Sequence, residues 1–350
     1  MSSNYPTITV IIPVRNEAQY IYRTLSQIYD QAYPRDRMEV IVADGMSADG
    51  TPDVVQRFAE RHSDLNIKLL RNASRLSSAG RNLAIKHGKG DYFLLIDGHV
   101  HLPSKELLAK AVAFAEEHGA RVLGRPQPLT PPDLSDFQTA VALARQSPLA
   151  HSQESYIYSD FEGWVSPLSV AVMYERGIFR EFGLFDETFD AAEDLEFNYR
   201  LERGSLRCFT SPLMKVCYYP RECFRSLFRQ LFRYGQGRAA FILKHRQRFT
   251  LESVIPALFF VALIGLFLFG FFEYSAWSLL AIVLSVYSTI LGAESYRINR
   301  RCGGGHLLRI PRIITVIHAG VAFGFLQGII NHMLERQPEQ NVAHDGINTT

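Results

Sequence analysis

No two cysteines in this chain stand at a C-x-x-C spacing, and none of the four (Cys208, Cys217, Cys223, Cys302) is joined by histidines in a zinc-clip pattern. This argues against a structural zinc site and a disulfide framework, and the cysteines read as free thiols of a reducing compartment. Met1 to Thr9 lacks a basic segment followed by an apolar run, so no cleavable leader is expected, and whatever precedes the hydrophobic segments is placed in the cytoplasm. No repeat of solenoid length is present. No glycine-rich loop with a lysine follows Ile11, which argues against a nucleotidyltransferase that grips phosphate in that way. Charge itself is missing over one long stretch: from Val254 to Gly292 only Glu273 carries any.

That stretch divides 350 residues of otherwise ordinary composition, with net charge +2 and 21% charged side chains, into two parts with different solvents. Val254 to Phe272 is uncharged over about 19 residues, which at ~1.5 Å per residue is ~28 Å and matches a ~30 Å hydrocarbon core. Ala276 to Gly292 is a second apolar run, close enough to the first to form a hairpin. Ile313 to Ile330 is a third; His318, Gln327 and its glycines leave spanning and re-entrant arrangements both open. Arg297, Arg300, Arg301, Arg309 and Arg312 lie between the second and third runs and place that loop on the cytoplasmic side. Phe224 to Lys244 is basic and aromatic at helical spacing, as in a helix lying on a membrane surface. The expected organisation is a catalytic domain over 1–223, an interfacial helix region over 224–250, a transmembrane region over 251–335 with segments near 254–272, 275–292 and 311–331, and a polar tail over 336–350. This describes a multi-pass protein of the inner (plasma) membrane with a cytoplasmic catalytic domain.

In the first part, β-branched runs alternate with amphipathic ones. Strands are expected over Thr7–Pro13, Glu39–Ala43, Ile67–Leu70 and Tyr92–Ile96, and helices over Glu17–Gln31, Thr51–His62 and Leu76–Gly88. Strand–helix alternation means an α/β, Rossmann-like, mostly parallel sheet flanked by helices, with ligands at the carboxyl ends of the strands. A further helix is expected over Leu107–His118, strands within Gly163–Val172, a helix over Glu193–Glu202 and a strand over Lys215–Tyr219.

The polar residues at those strand ends carry the chemistry. Arg15-Asn16-Glu17 follows the first strand and Asp44-Gly45 the second, a placement that converges on one base and ribose, although a carboxylate there also caps turns. In Asp97-Gly98-His99, extended residues two apart project to one side, so both side chains can reach a divalent cation, manganese or magnesium, bridging a diphosphate; a simple loop histidine is the alternative. Glu193-Asp194 opens a helix. Asp194 is the candidate base that deprotonates an acceptor hydroxyl, and Glu193 is read as a partner for the acceptor or for a nearby arginine; the helix dipole alone also favours acids there. Gln230, Arg233 and Tyr234 lie on one helix and suit a diphosphate and a stacked sugar.

With V-I-I-P-V-R-N-E, V-A-D-G-M-S-A-D-G-T, S-A-G-R-N-L-A-I, L-L-I-D-G-H, F-D-E-T-F-D-A-A-E-D-L-E and Q-L-F-R-Y in this order, the chain from Thr7 to Tyr234 resembles glycosyltransferase family 2, the inverting enzymes of the GT-A fold. It looks most like the exopolysaccharide glucosyltransferases of the succinoglycan type. The resemblance implies that Pro13, Arg15, Glu17, Asp44 and Arg81, together with Asp97, contact uracil, ribose or diphosphate, that Asp97 and His99 form the metal site, and that Asp194 is the base. It implies a UDP-sugar donor and a lipid-linked polyprenyl or polysaccharide acceptor, with no nucleic-acid partner. Two motifs depart from the family pattern: D-G-H stands for D-x-D, and Q-x-x-R-Y for Q-x-x-R-W. Three hydrophobic segments are fewer than most processive synthases carry, which favours single addition. The alternatives are a nucleotidyltransferase and a catalytically weak membrane scaffold on a transferase fold.

Overall fold

The computed structural model describes residues 5–151, 155–245 and 251–344. These fall into two compact units, one of Met1–Leu134 with Gln153–Pro220, the other of Ser135–Ser152 with Arg221–Thr350. In chain order the elements are β1 (Ile8–Val14), α1 (Ile21–Tyr29), β2 (Met38–Asp44), α2 (Thr51–Arg61), β3 (Asn66–Arg71), α3 (Ser77–His87), β4 (Tyr92–Leu95), β5 (Val100–His101), α4 (Leu107–His118), β6 (Val122–Gly124) and α5 (Asp136–Arg145). They continue with β7 (Gly163–Val165), α6 (Pro167–Val170), β8 (Ala171–Glu175), α7 (Arg176–Phe182), α8 (Glu193–Arg203), β9 (Cys208–Thr210), β10 (Cys217–Tyr218), α9 (Phe224–Lys244), α10 (Leu251–Phe269), α11 (Ser275–Arg301) and α12 (Arg309–His344).

The first unit is built on an eight-stranded sheet in the order β3-β2-β1-β4-β8-β6-β9-β7. β1 is parallel to both β2 and β4, with Val14 opposite Asp44 and Ile11 opposite Leu95, while β8 runs antiparallel to β4. β1 and β2 are buried on both faces, so successive side chains feed opposite cores. Ile8, Val10, Ile12, Val40 and Val42 pack with Ile21 and Leu25 of α1, Phe58 of α2 and Leu108 of α4. Ile11, Ile41, Phe93 and Leu95 pack on the other face with Ile85 of α3, Phe179 of α7 and Phe197 of α8. Between β1 and β4 the strand order reverses, which opens the crevice where doubly wound sheets bind ligands.

The segment Gly163 to Val172, expected as strands alone, contains a helical turn between β7 and β8. Ser166 caps that turn by accepting from Leu168 N at 3.2 Å, and Pro167 stands at its first position. A second small sheet pairs β5 with β10 antiparallel, Val100 opposite Tyr218 and His101 opposite Cys217.

In the second unit α5 joins the C-terminal helices. Its start carries a capping box between Ser135 and Gln138, and its Ala140, Val141 and Ala144 pack with Leu227, Leu231, Ile310 and Ile314. Helices occupy all three hydrophobic segments; α11 and the Arg309–Leu334 part of α12 are long and apolar enough to cross a membrane, and Val254–Phe269 is a shorter apolar helix. Residues 246–250 of the expected interfacial region and 345–350 of the expected tail lie outside the described residues. α9 and α12 approach so closely that a Cβ on Gly324 would stand 1.9 Å from the Phe232 carbonyl oxygen, and one on Gly235 2.3 Å from that of Val321. Gly324→Ala is expected to lower the melting temperature of the detergent-solubilised protein, at a cost of about 1–3 kcal/mol for overpacking. Gly292→Ala, where a Cβ meets nothing within 4 Å, is the control and is expected to leave melting unchanged or raise it slightly.

Candidate active site

The loops after β1 and β2 are tied together by their own polar side chains. Asn16 adopts a left-handed backbone (φ 57°), turning the chain sharply after the strand. Its N–H donates to Ser47 Oγ at 2.8 Å and its Oδ1 accepts from Ala48 N at 2.9 Å. Glu17 N donates to Thr51 Oγ1 and Ala18 N to Asp49 Oδ2, at 2.8 and 3.0 Å. Asp44, at the edge of β2, accepts from Ser47 N through Oδ2 at 3.1 Å, whereas its Oδ1 is buried without a hydrogen-bond partner. A buried acceptor left unmade costs about 1–3 kcal/mol, and Asp44 Oδ1 has capacity for one more donor. Pro13 is half-buried on β1, and Arg15 is exposed beside Gly45.

Across the crevice, Asp97 and His99 follow β4. His99 Nδ1 lies 2.9 Å from Glu17 Oε1, which ties the β4 loop to the β1 loop. The intervening residue has to be glycine: a Cβ on Gly98 would stand 2.9 Å from Val14 Cγ1 and 3.2 Å from Glu17 Cγ. Thr24 Oγ1 of α1 donates to the Gly98 carbonyl at 2.8 Å. The half-buried Asp97 lies within electrostatic reach of Tyr218.

A third group comes from α3 and the start of α8. Arg81 Nη1 lies 3.1 Å from Glu193 Oε1, both side chains nearly buried, with the guanidinium 5.3 Å from the Phe185 ring centroid. Burial works against the Arg81 charge, but Glu193, Asp194 and Asp97 outweigh it and hold the guanidinium above its ordinary range. Burial, reinforced by Asp194 and opposed by Arg81, raises the Glu193 carboxyl above the usual carboxylate range. Asp194 is exposed beside this pair, its Oδ1 accepting from Leu195 N at 2.8 Å. Of the two roles read for Glu193, the arginine partner is the one the structure displays.

Two residues of this region were not singled out from the sequence. Asn82 donates to the Phe185 carbonyl and to Glu187 Oε1, both at 2.8 Å, and accepts from Phe185 N at 2.9 Å. Ser78 Oγ donates to the Phe189 carbonyl at 3.2 Å. Together they fasten the loop that delivers Glu193 and Asp194. Their signal lay in S-A-G-R-N itself, where polar residues three and four positions apart share one helix face with or beside Arg81. Gln230, Arg233 and Tyr234 are on α9 in the second unit, all exposed and at i, i+3, i+4 spacing; Arg238 bonds the Tyr234 hydroxyl and lies 4.8 Å from its ring centroid.

Residues 9–139 match the model of glycosyl transferase family 2. The succinoglycan biosynthesis protein ExoA of Rhizobium meliloti is 32% identical over 267 residues, covering 73% of this chain and 77% of that protein. The chain belongs to glycosyltransferase family 2. A dolichyl N-acetyl-alpha-D-glucosaminyl phosphate 3-beta-D-2,3-diacetamido-2,3-dideoxy-beta-D-glucuronosyltransferase of Methanococcus voltae is 25% identical over 330 residues, covering 92% of this chain and 97% of the relative. Among solved structures, the mannosyltransferase PcManGT of Pyrobaculum calidifontis, in complex with GDP-Man and Mn2+, superposes with a TM-score of 0.60 at 21% identity, covering 93% of this chain and 88% of the other. The transferase therefore has the GT-A fold.

The Arg81–Glu193 pair gives a stability test. Arg81→Met strands a buried carboxylate and is expected to cost about 3–5 kcal/mol by chemical denaturation, most of it recovered in Arg81→Met/Glu193→Leu. Glu193 is raised in the folded state, so above the ordinary carboxylate range the folded chain holds more protons than the unfolded one and stability falls as pH rises. The deficit of Arg81→Met is accordingly expected to be larger at about pH 7.5 than at about pH 5.

Proposed function

We propose that this transferase moves one sugar from a UDP-sugar to a lipid-linked acceptor with inversion, Asp194 acting as the base. The observation that carries this reading is Asp194 exposed beside the buried Arg81–Glu193 pair, with Arg81 also within electrostatic reach of Asp97. In this assignment Asp44, with its unpaired buried oxygen, receives a base or ribose donor, Pro13 and Arg15 border the same site, and Glu17 braces His99. Asp194 takes the proton of the acceptor hydroxyl as that oxygen attacks the anomeric carbon and the diphosphate departs from the opposite face. Arg81 keeps positive charge near the departing diphosphate and, through Glu193, fixes the start of α8.

The residues after β4 fit a divalent cation. A metal-bound imidazole commonly offers its other ring nitrogen to a carboxylate, and His99 Nδ1 does so with Glu17. Asp97 and His99 would hold manganese or magnesium through one carboxylate and one imidazole, with the donor's phosphates completing the site. When bound there, the ion would neutralise charge on the leaving diphosphate.

The acceptor class draws support from the Methanococcus relative, whose name specifies a dolichyl-phosphate-linked sugar. In the second unit, large apolar side chains face outward, Phe272 at 87% and Ile282 at 60% exposure, as expected where lipid replaces water. With Arg297, Arg300 and Arg301 at the end of α11 and Arg309 and Arg312 at the start of α12, this supports an inner-membrane anchor and a cytoplasmic catalytic unit. Gln230, Arg233 and Tyr234 are assigned to diphosphate or acceptor on the exposed face of α9. Asp194→Asn is expected to lower kcat by about 10²–10⁴-fold with the KM for UDP-sugar within a few-fold of wild type, read by release of UDP. An unchanged kcat removes Asp194 as the base.

A further inference from the structure

The turn between α11 and α12, residues 302–308, is closed tightly on the end of α11. Gly303, Gly304 and Gly305 all have left-handed backbones (φ 81°, 101° and 93°), a run that residues with a Cβ do not readily adopt. Gly304 N donates to the Asn299 carbonyl at 3.1 Å, His306 N to Asn299 Oδ1 at 3.2 Å, and Ser295 Oγ to the Leu307 carbonyl at 2.6 Å. The turn thereby gathers Arg297, Arg300 and Arg301 of α11 with Arg309 and Arg312 of α12 at one end of this helix pair. Two carboxylates meet five cations: Glu294 Oε2 accepts from Arg297 Nε at 2.7 Å, and the exposed Asp136 lies 3.3 Å from Arg309 Nη1. Among the described residues Arg300, Arg301 and Arg312 make no ion pair, and all three are exposed.

The helix dipole accounts for only part of this arrangement. It favours cations at the end of α11, but Arg312 stands in the first turn of α12, the end at which cations are disfavoured. The surroundings point to what offsets that charge. Along α11 the exposed Ile282, Val286 and Ile290 recur every four residues as an outward apolar stripe; the exposed Tyr296 follows, with Arg300 Cζ 5.9 Å from its ring centroid. Apolar stripe, aromatic ring and cations succeed one another in the order in which a membrane passes from hydrocarbon to headgroups. At the tip of the turn Leu307 and Leu308 are exposed among the arginines, Leu308 at 72%. An acidic protein or a nucleic acid would account for the cations and leave the leucines facing water. A headgroup layer accounts for both, because leucines enter the acyl boundary while guanidinium groups donate to phosphate oxygens.

We propose that the α11–α12 turn is a binding site for anionic phospholipids, with Arg300, Arg301 and Arg312 on the headgroup phosphates and Leu307 and Leu308 in the acyl boundary; the assignment rests on the reading of α11 and α12 as membrane helices. The test follows the melting temperature of the full-length protein in dodecyl maltoside as phosphatidylglycerol or phosphatidylcholine is added to the micelles. Phosphatidylglycerol is expected to raise it by at least about 2 °C and phosphatidylcholine by much less. At ~1 M salt, where the screening length is ~3 Å, the difference between the two lipids is expected to vanish. The triple variant Arg300→Gln/Arg301→Gln/Arg312→Gln is expected to release UDP from UDP-sugar as the wild type does and to lose at least half of the rise. Arg300→Lys/Arg301→Lys/Arg312→Lys keeps the charge and is expected to respond as wild type; loss of its response overturns the proposal. A glutamine variant as responsive as wild type, or a wild type that answers both lipids equally, overturns the site and leaves the membrane reading intact. Stabilisation by undecaprenyl phosphate with none by phosphatidylglycerol gives the turn to a polyprenyl lipid and also overturns it. Recovery of the full-length chain in the soluble fraction without detergent overturns the membrane reading and this assignment with it.

Discussion

The parallel register of β1 with its two neighbours governs everything that follows. With Val14 level with Asp44 and Ile11 level with Leu95, the first polar residues after three separate strands emerge along one edge of the sheet. Both faces of these strands are sealed by apolar side chains, so that edge is where polar groups of the central strands can meet a ligand. The reversal of strand order between β1 and β4 then separates the helices on either side and leaves room for it.

On this frame the site is pre-organised at some cost. An unpartnered oxygen on Asp44, a buried Arg81–Glu193 pair and a buried Arg125 are each unfavourable in isolation. They persist because apolar packing around them is extensive: Phe197 of α8 packs against Phe179 and Phe185, and Asp44 ends the buried strand β2 beside the aliphatic β1. Buried charges hold their geometry more firmly than exposed ones, because water does not compete for their hydrogen bonds. Fixed donors and carboxylates at a strand edge are what transfer of a sugar away from a diphosphate demands.

The second unit follows different rules. Its helices α9 and α12 meet through small residues, Gly235 against Val321 and Gly324 against Phe232, which lets their backbones approach closely. Polar contacts hold the turn after α5. Ser147 donates to Glu294 at 2.6 Å, and His318 Nε2 donates to the Leu149 carbonyl at 2.7 Å while Tyr287 donates to His318 Nδ1 at 3.0 Å. His318, an irregularity in an apolar run by sequence, is thus the anchor of a loop.

Local patterning made part of this structure legible from the residues alone. The strands β1 to β4, the helices α1 to α4 and the extent of α9 from Phe224 to Lys244 were readable because each buries a continuous run or a regular face. The ordered polar motifs at the strand ends identified the family. β6 and β9, three residues each, are too brief to show a period, and α5 went unread although Ser135 and Gln138 spell a capping box, because the residues covering its apolar face come from α9 and α12. The folded chain alone sets Arg81 against Glu193, Glu17 against His99, Asn82 against the loop before Asp194, and Arg125 against the Leu95 carbonyl and Tyr218. Each of these joins positions far apart in the chain, and no local periodicity carries the partner of a buried polar group; that partner is chosen when the sheet closes and water is removed from between them.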